Sequence, residues 1–175
     1  PIDFLIGATL TIPTGIITVE YATITSILAT GGATFIANNS VDGGNNAGWT
    51  INTAAPRTLY WVGGTGNWED EAHWSTTSGG AGGNCIPSLA DDVIFDANSF
   101  SQSGEVVTIN NSPANCKSMD WTGVSFATEI EAPGTGSIVL YGSIALSPAV
   151  TWNVYTMQFS GGSTGTILTN GVNVQ

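Results

Sequence analysis

Short β-branched runs separated by turn residues constrain the fold of this chain more than any other feature of its sequence. Each run is rich in Thr, Val and Ile and is bounded by Gly, Asn, Pro or Ser, the pattern of strands joined by turns. No window carries the i, i+3, i+4 apolar stripe of a helix. The sequence therefore predicts an all-β protein, with strands at Ala8–Ile12, Ile16–Tyr21, Thr34–Ala37, Asp92–Asp96, Glu105–Ile109, Ser118–Trp121, Ser137–Leu146, Thr151–Phe159 and Thr166–Val174.

Two all-β architectures fit these runs, a β-sandwich and a parallel β-helix. A sandwich has strands with one buried face and turns at regular short intervals. A β-helix stacks coils of very short strands, with small or amide residues at the corners, where stacked asparagines can bond along the solenoid. Asparagine recurs at the ends of the predicted strands and favours the β-helix; the positions are Asn38–Asn39, Asn45–Asn46, Asn110–Asn111, Asn170 and Asn173.

The charge balance excludes whole classes of partner. Lys and Arg total 2 against 13 acids, which gives a net charge of −11. Phosphate binding needs cationic side chains, so nucleic acid is excluded as a partner, and an anionic membrane surface is disfavoured. No apolar run reaches the length of a membrane span, so we expect no membrane insertion. An acidic surface of this kind is typical of a polymer kept soluble and apart from its neighbours.

Three tryptophans, Trp61, Trp68 and Trp74, lie in a polar segment of glycine, asparagine and acid. Apolar rings at that density must pack against other apolar surface or against a ligand, because their surface is costly to leave in water. They could form a stacking platform for sugars, which makes them the candidate ligand-binding residues. Alternatively, they close the end of a solenoid, where the apolar interior and unpaired strand edges would otherwise face water.

The order W-x-G-G-x-G-N-W (61–68), then W-S (74–75), then P-x-x-x-D-D-V-x-F-D (87–96) resembles the opening segment of large secreted bacterial surface proteins. These are built of right-handed parallel β-helix modules. Residues 29–51 resemble the closing rung of such a module. The resemblance implies terminal rungs of one module at 1–52, a linker at 53–58, and a cap with the first rungs of the next module at 59–175. It also implies that the tryptophans form a cap, and it implies no reaction.

Two cysteines, Cys85 and Cys116, are an even count in a chain whose composition and resemblance both point outside the cytoplasm. Disulfides persist in that compartment, so we expect a Cys85–Cys116 bridge, with two buried thiols as the alternative. The chain begins at Pro1 and has no basic, apolar leader at its start. We therefore expect a piece of a longer chain without a signal peptide of its own.

Residues that could carry chemistry are few. His73 is the only histidine and lacks a nucleophile motif, so a catalytic triad is not predicted. Zinc would need more ligands than one histidine and two distant cysteines. Calcium is the candidate metal, because carboxylates beside a turn suit it; local turn bonds are the alternative role. The candidate calcium ligands are Asp91, Asp92 and Asp96.

The sequence thus predicts a structural or adhesive, non-catalytic component of an extracellular surface protein or appendage. Its expected partners are further copies or neighbouring modules of the same chain, and surface glycans. A phage virion fibre or tail-spike component is the first alternative. A carbohydrate-binding module or a β-helix polysaccharide-degrading enzyme is the second, since acidic pairs such as Glu69/Glu71 and Glu129/Glu131 could serve glycoside hydrolysis across a cleft.

Overall fold

The computed structural model describes residues 7–20, 22–53, 55–110, 113–160 and 164–174. The chain divides into two compact units, Pro1–Ala55 and Pro56–Gln175, and the division falls inside the predicted linker 53–58. Of the positions interpreted above, Pro1, Tyr21, Ala54, Asn111 and Gln175 lie outside the described residues.

Parallel strand pairing builds both units, which together contain about seven turns of a β-solenoid. Among the described strands a single pair is antiparallel, and every other pair joins strands that belong to consecutive coils. The predicted all-β parallel solenoid is therefore confirmed. The β-sandwich alternative is wrong, because a sandwich is made of antiparallel sheets.

Unit 1 is built from parallel coils, the first two of which are joined by three pairs of strands. Its described strands are β1 Ala8–Thr11, β2 Ile16–Glu20, β3 Thr23–Ile24, β4 Ile27–Thr30, β5 Thr34–Asp42 and β6 Trp49–Thr53. Strand β1 pairs with β4, and β2 and β3 both pair with β5. Strands β1, β2 and β3 thus form the first coil, and β4 and β5 form the second.

Side-chain hydrogen bonds also join the first two coils. The hydroxyls of Thr11 and Thr30 are bonded to each other across positions 19 residues apart. The amide of Ala22 donates to the hydroxyl of Ser40, 18 residues later. The first turn of unit 1 therefore takes nearly the same length of chain on different sides of the coil, whereas the step from β5 to β6 is shorter, with Phe35 paired to Trp49.

Unit 2 has three sheets that run along its coils, in the orders β19-β16-β13-β10-β7-β9, β17-β14-β11-β8 and β12-β15-β18. Its described strands are β7 Thr58–Trp61, β8 Gly66–Asn67, β9 Trp74–Ser75, β10 Asp92–Ile94, β11 Glu105–Thr108, β12 Pro113–Cys116, β13 Ser118–Asp120, β14 Thr128–Glu131, β15 Ser137–Leu140, β16 Ile144–Ala145, β17 Val150–Asn153, β18 Met157–Phe159 and β19 Ile167–Leu168. A 3-10 turn, Glu71–His73, precedes β9.

Inward-pointing side chains form columns along the solenoid of unit 2. One column consists of residues paired in register on consecutive coils, namely Leu59, Val93, Met119, Ile144 and Ile167. The first four are 0–1% exposed. Alternation with period two places every second side chain of a strand inside, so each added coil extends one continuous apolar core.

Asparagine occupies solenoid corners, as its spacing predicts. Asn39, Asn45 and Asn170 adopt left-handed backbone angles, with φ of 47°, 58° and 48°, which asparagine tolerates better than most residues. Asn52 on β6 donates a side-chain hydrogen bond to Asn38 on β5 over 2.8 Å. This pair links one coil to the next through stacked amides.

Two of the longer predicted strands are divided by corners. The run 137–146 separates into β15 and β16, with a bend at Tyr141–Gly142, and the run 151–159 separates into β17 and β18. Among the described residues, no helix is long and apolar enough to cross a membrane.

Candidate functional site

The aromatic segment closes the first coil of unit 2. Strand β9 pairs antiparallel with β7, with Tyr60 opposite Ser75 and Trp61 opposite Trp74. This pairing covers the edge of β7 that faces away from β10. Trp61, Trp68 and Trp74 are 0%, 2% and 0% exposed. The predicted Trp/Gly-rich cap is therefore present, and it covers both the apolar interior and the first strand edge.

The faces of the three rings are covered by other side chains. Trp61 lies parallel to His73, with 4.6 Å between ring centroids, and meets Trp74 edge to face at 5.2 Å. Trp68 meets Trp74 edge to face at 4.7 Å. Beneath them Phe95 continues the aromatic column and stacks on Trp121. Because these contacts occupy the rings, Trp61, Trp68 and Trp74 leave no ring face open for stacking on a ligand.

The polar atoms of the rings are also used internally. The Trp61 indole donates to the carbonyl of Gly64 at 2.7 Å, and the Trp74 indole donates to the carbonyl of Trp68 at 2.8 Å. Nδ1 of His73 lies 2.7 Å from the carbonyl of Val62. A carbonyl can only accept, so Nδ1 carries the proton in this contact. His73 therefore acts as a structural member of the cap.

Two glycines of the motif are required by close approach. Gly64 has a φ of +74°, and a Cβ at this position would overlap the carboxylate of Glu105. A Cβ on Gly66 would overlap Nε2 of His73. The W-x-G-G-x-G-N-W order is thus explained by the geometry of the cap, where glycine lets the loop pass beneath the imidazole and beside the carboxylate.

Glu105 is a buried carboxylate that the motif analysis missed. It is 9% exposed and accepts from the Ser101 and Gln102 amides at 2.7 and 3.2 Å and from the Ser101 hydroxyl at 3.1 Å. The Ser-Gln-Ser-Gly turn before a β-branched run was the available signal, since serine and glycine mark a turn whose amides need an acceptor. Glu105 fixes that turn against Gly64.

Asp91 is the most strongly bonded of the candidate calcium ligands. Its buried carboxylate accepts from Nε and Nη2 of Arg57 at 2.9 and 2.6 Å, and from the amide and hydroxyl of Ser88, both at 2.8 Å. Burial raises the pKa of Asp91, but the hydrogen bonds from Arg57 and Ser88 and the Arg57 charge outweigh it. The pKa therefore lies below its ordinary value, and the carboxylate is held ionised between the start of unit 2 and the Ser88 turn.

The other two candidate ligands face different partners. Asp92 is 3.5 Å from the ammonium of Lys117 in a half-exposed pair. Asp96 accepts from the Asn98 amide at 2.9 Å, as a turn residue does. Within the described ranges no group of three or more His, Cys, Asp or Glu side chains is placed to hold a metal ion. The arrangement favours the local turn role over a shared calcium site.

The remaining acidic pairs lie on the outer surface of unit 2. Glu69 accepts from the backbone amide of Asn110 at 3.0 Å, and Glu131 accepts from the hydroxyl of Thr108 at 3.0 Å. Glu129 accepts from the side chain of Asn153. Glu129 and Glu131 alternate with the buried Ile130 along β14, so both project outward. These bonds join neighbouring coils. Glu69, Asp70 and Glu71 together line an open surface depression with Asn67 and Asn110.

The predicted disulfide is wrong. Cys85 and Cys116 are not bonded to each other: Cys85 is exposed in the loop between β9 and β10, whereas Cys116 is fully buried on β12. Cys116 points into the core in register with Leu140, and burial raises the pKa of its thiol, with a smaller contribution from Asp92 and Asp91. An extracellular location allows a disulfide to persist once it has formed. It does not determine whether the fold brings the two thiols together.

No protein-family model, curated protein or solved structure matches this chain.

Proposed function

We propose that this chain is a structural or adhesive, non-catalytic part of an extracellular surface protein or appendage. One observation carries the proposal. The segment richest in residues able to bind or react is buried in the closure of a solenoid end, with Trp61 and Trp74 0% exposed and His73 bonded to Val62. A module whose distinctive residues build its own end is suited to forming a wall or stalk.

The surface of the chain supports the same proposal. Its net charge of −11 with two cations suits a soluble polymer whose copies repel one another sideways. Outward-facing carboxylates such as Glu129 and Glu131 bond between coils and so strengthen the solenoid. The resemblance of residues 61–96 to surface-protein modules adds an extracellular location to the proposal.

Surface labelling tests the location directly. In the organism that encodes the chain, an antibody against unit 2 should bind intact cells, and protease added outside should remove the signal. A cytoplasmic enzyme labelled in parallel should become accessible only after lysis. Signal confined to lysed cells would contradict the proposal. Signal in purified virions would instead identify the fibre or tail-spike alternative, which uses the same solenoid.

A further inference from the structure

The outer face of the largest sheet of unit 2 carries a shallow depression that lies away from both edges of the sheet. It is lined by residues on or beside β10, β13 and β16, and each of these strands is paired on both sides. Its volume of about 290 Å³ is close to that of the smaller ligand sites of proteins. The outward-facing residues around it are Asp92, Ile94, Ser118, Asp120, Ser143 and Ala145.

Small residues make the outer face hollow at this place. Tyr60 on β7 is in register with Ile94 on β10, whereas two strands further on the same column holds only Ala145. Ser118 on β13 is also short. Gly142 lies at the adjoining corner, and a Cβ there would come within 2.6 Å of the Ser118 hydroxyl. The residues of β13 and β16 thus leave an opening that larger side chains would fill.

Two serine hydroxyls supply hydrogen-bond donors to the depression. Oγ of Ser118 accepts from the Ser143 amide at 3.2 Å, and Oγ of Ser143 accepts from the Thr166 amide at 3.0 Å. A hydroxyl has one donor besides its acceptor lone pairs. Among the described residues neither hydroxyl donates to a protein acceptor, so both protons are left for the oxygen of a ligand.

The carboxylates of Asp92 and Asp120 supply acceptors. Oδ1 of Asp120 accepts from the amide and the hydroxyl of Thr122 at 2.8 and 2.7 Å, and these two bonds fix the side chain. Within the described part of the chain, Oδ2 of Asp120 has no hydrogen-bond donor. Asp92, on the neighbouring strand, has the Lys117 ammonium 3.5 Å away. The depression therefore presents acceptors beside the serine donors.

The charges and polar groups of the depression select an uncharged ligand with hydroxyl groups. Phosphate, sulfate and uronate groups are repelled by the two carboxylates and by a chain of net charge −11. An ammonium group can only donate, so it would leave the serine protons without an acceptor. A sugar hydroxyl both donates and accepts, and the C–H face of a sugar ring is apolar enough to lie on Ile94 and Ala145.

We propose that this depression binds a segment of a neutral oligosaccharide. Sugar hydroxyls would donate to the carboxylate of Asp120 and accept from the hydroxyls of Ser118 and Ser143, while a ring face covers Ala145. The site is thus on the outer face of the sheet, and the buried tryptophans of the cap take no part in it. The proposal rests on the adhesive role within the function proposed above and names the class of ligand.

Titration of the whole chain with neutral hexasaccharides tests the site. The probes are cellohexaose, xylohexaose, mannohexaose and maltohexaose, and isothermal calorimetry should give a Kd of about 1 mM or tighter for at least one of them. Ala145→Arg fills the depression and should weaken that binding by about tenfold or more. Asp120→Asn keeps an acceptor for Thr122 but removes the charge, and it should weaken binding by roughly tenfold. Polygalacturonate, an anionic polymer, should not bind.

A matched control and three contrary outcomes complete the experiment. Val139→Arg adds the same side chain to the outer face of β15 in a different sheet and should bind like the unaltered chain, while circular dichroism checks that all variants fold. Failure of all four sugars to bind would overturn the proposal, and so would unchanged affinity of Ala145→Arg. Binding of hexalysine in place of the sugars, lost in Ala145→Arg, would assign the depression to a basic protein segment. None of these results alters surface labelling, which tests the location separately.

Discussion

At the scale of single residues, Asp91 shows how a buried charge is kept in an acidic chain. Its side chain is 1% exposed and accepts hydrogen bonds from both the guanidinium and the backbone amide of Arg57. A buried carboxylate without such donors would be protonated or would destabilise the fold. Because the folded pKa is lowered, ionised Asp91 contributes stability above its unfolded pKa, and this contribution is lost as the pH falls through the folded pKa.

We expect Asp91→Asn to lower the free energy of unfolding by about 2–3 kcal/mol at neutral pH, because Arg57 and Ser88 lose a charged acceptor. Urea unfolding of both proteins at a series of pH values measures the difference. It should shrink in acid, where the carboxylate of the unaltered protein becomes protonated. Asp92→Asn is the control, since its pair with Lys117 is half-exposed and worth less than about 1 kcal/mol. An undiminished difference in acid would contradict the electrostatic explanation.

The cap tryptophans permit a second test at the residue scale. Trp61→Ala removes a fully buried ring that contacts His73 and Trp74, and we expect unfolding to become easier by about 3–5 kcal/mol. Tyr155→Ala removes an aromatic side chain that is 77% exposed and should change stability by less than about 0.5 kcal/mol. Unchanged unfolding of Trp61→Ala together with lost glycan binding would favour the recognition role instead.

At the scale of elements, the sequence located strands better than it located corners. The β-branched run 105–109 became β11, but 137–146 was divided because Tyr141 and Gly142 form a corner between β15 and β16. Short strands such as β12, Pro113–Cys116, escaped prediction because so few residues carry too little pattern. The solenoid forms them anyway, since pairing with β15 supplies the hydrogen bonds that local preference does not.

The close approach of Gly66 to His73 in the cap loop can be tested with single and double variants. Gly66→Ala places a Cβ against Nε2 of His73, so we expect a loss of about 1–3 kcal/mol from overpacking. His73→Ala removes the imidazole, and Gly66→Ala should cost much less in that background. Thermal unfolding of the two single variants and the double variant measures the coupling. Equal costs of Gly66→Ala in both backgrounds would show that backbone preference, and not the imidazole, selects glycine.

At the scale of the whole molecule, the coils of the solenoid do not recur at a fixed spacing in the sequence, so a search for fixed repeats does not detect them. Arg57 and Asp91, bonded between the first two coils of unit 2, are 34 residues apart, whereas Ser143 and Thr166, bonded between two later coils, are 23 residues apart. Loops of different length leave from the corners, so the register of the core columns cannot be counted along the sequence. The cap could be predicted because three tryptophans in a polar segment require burial. The missing bridge between Cys85 and Cys116 could not, because it depends on which way β12 faces.

The tryptophan cap on the first coil predicts a gradient of local stability along the described strands of unit 2. Each coil of a solenoid is stabilised mainly by its neighbours, and among the described strands β18 and β19 each pair on one side only. At micromolar protein concentration we expect the amides of residues 157–159 and 167–168 to exchange with deuterium much faster than those of 92–94 and 118–120. Hydrogen exchange read by mass spectrometry measures this opening from the end. Adding Trp61→Ala should speed exchange at 58–61 as well, since it removes the closure there. Equally slow exchange at 157–159 and 92–94 would contradict this gradient.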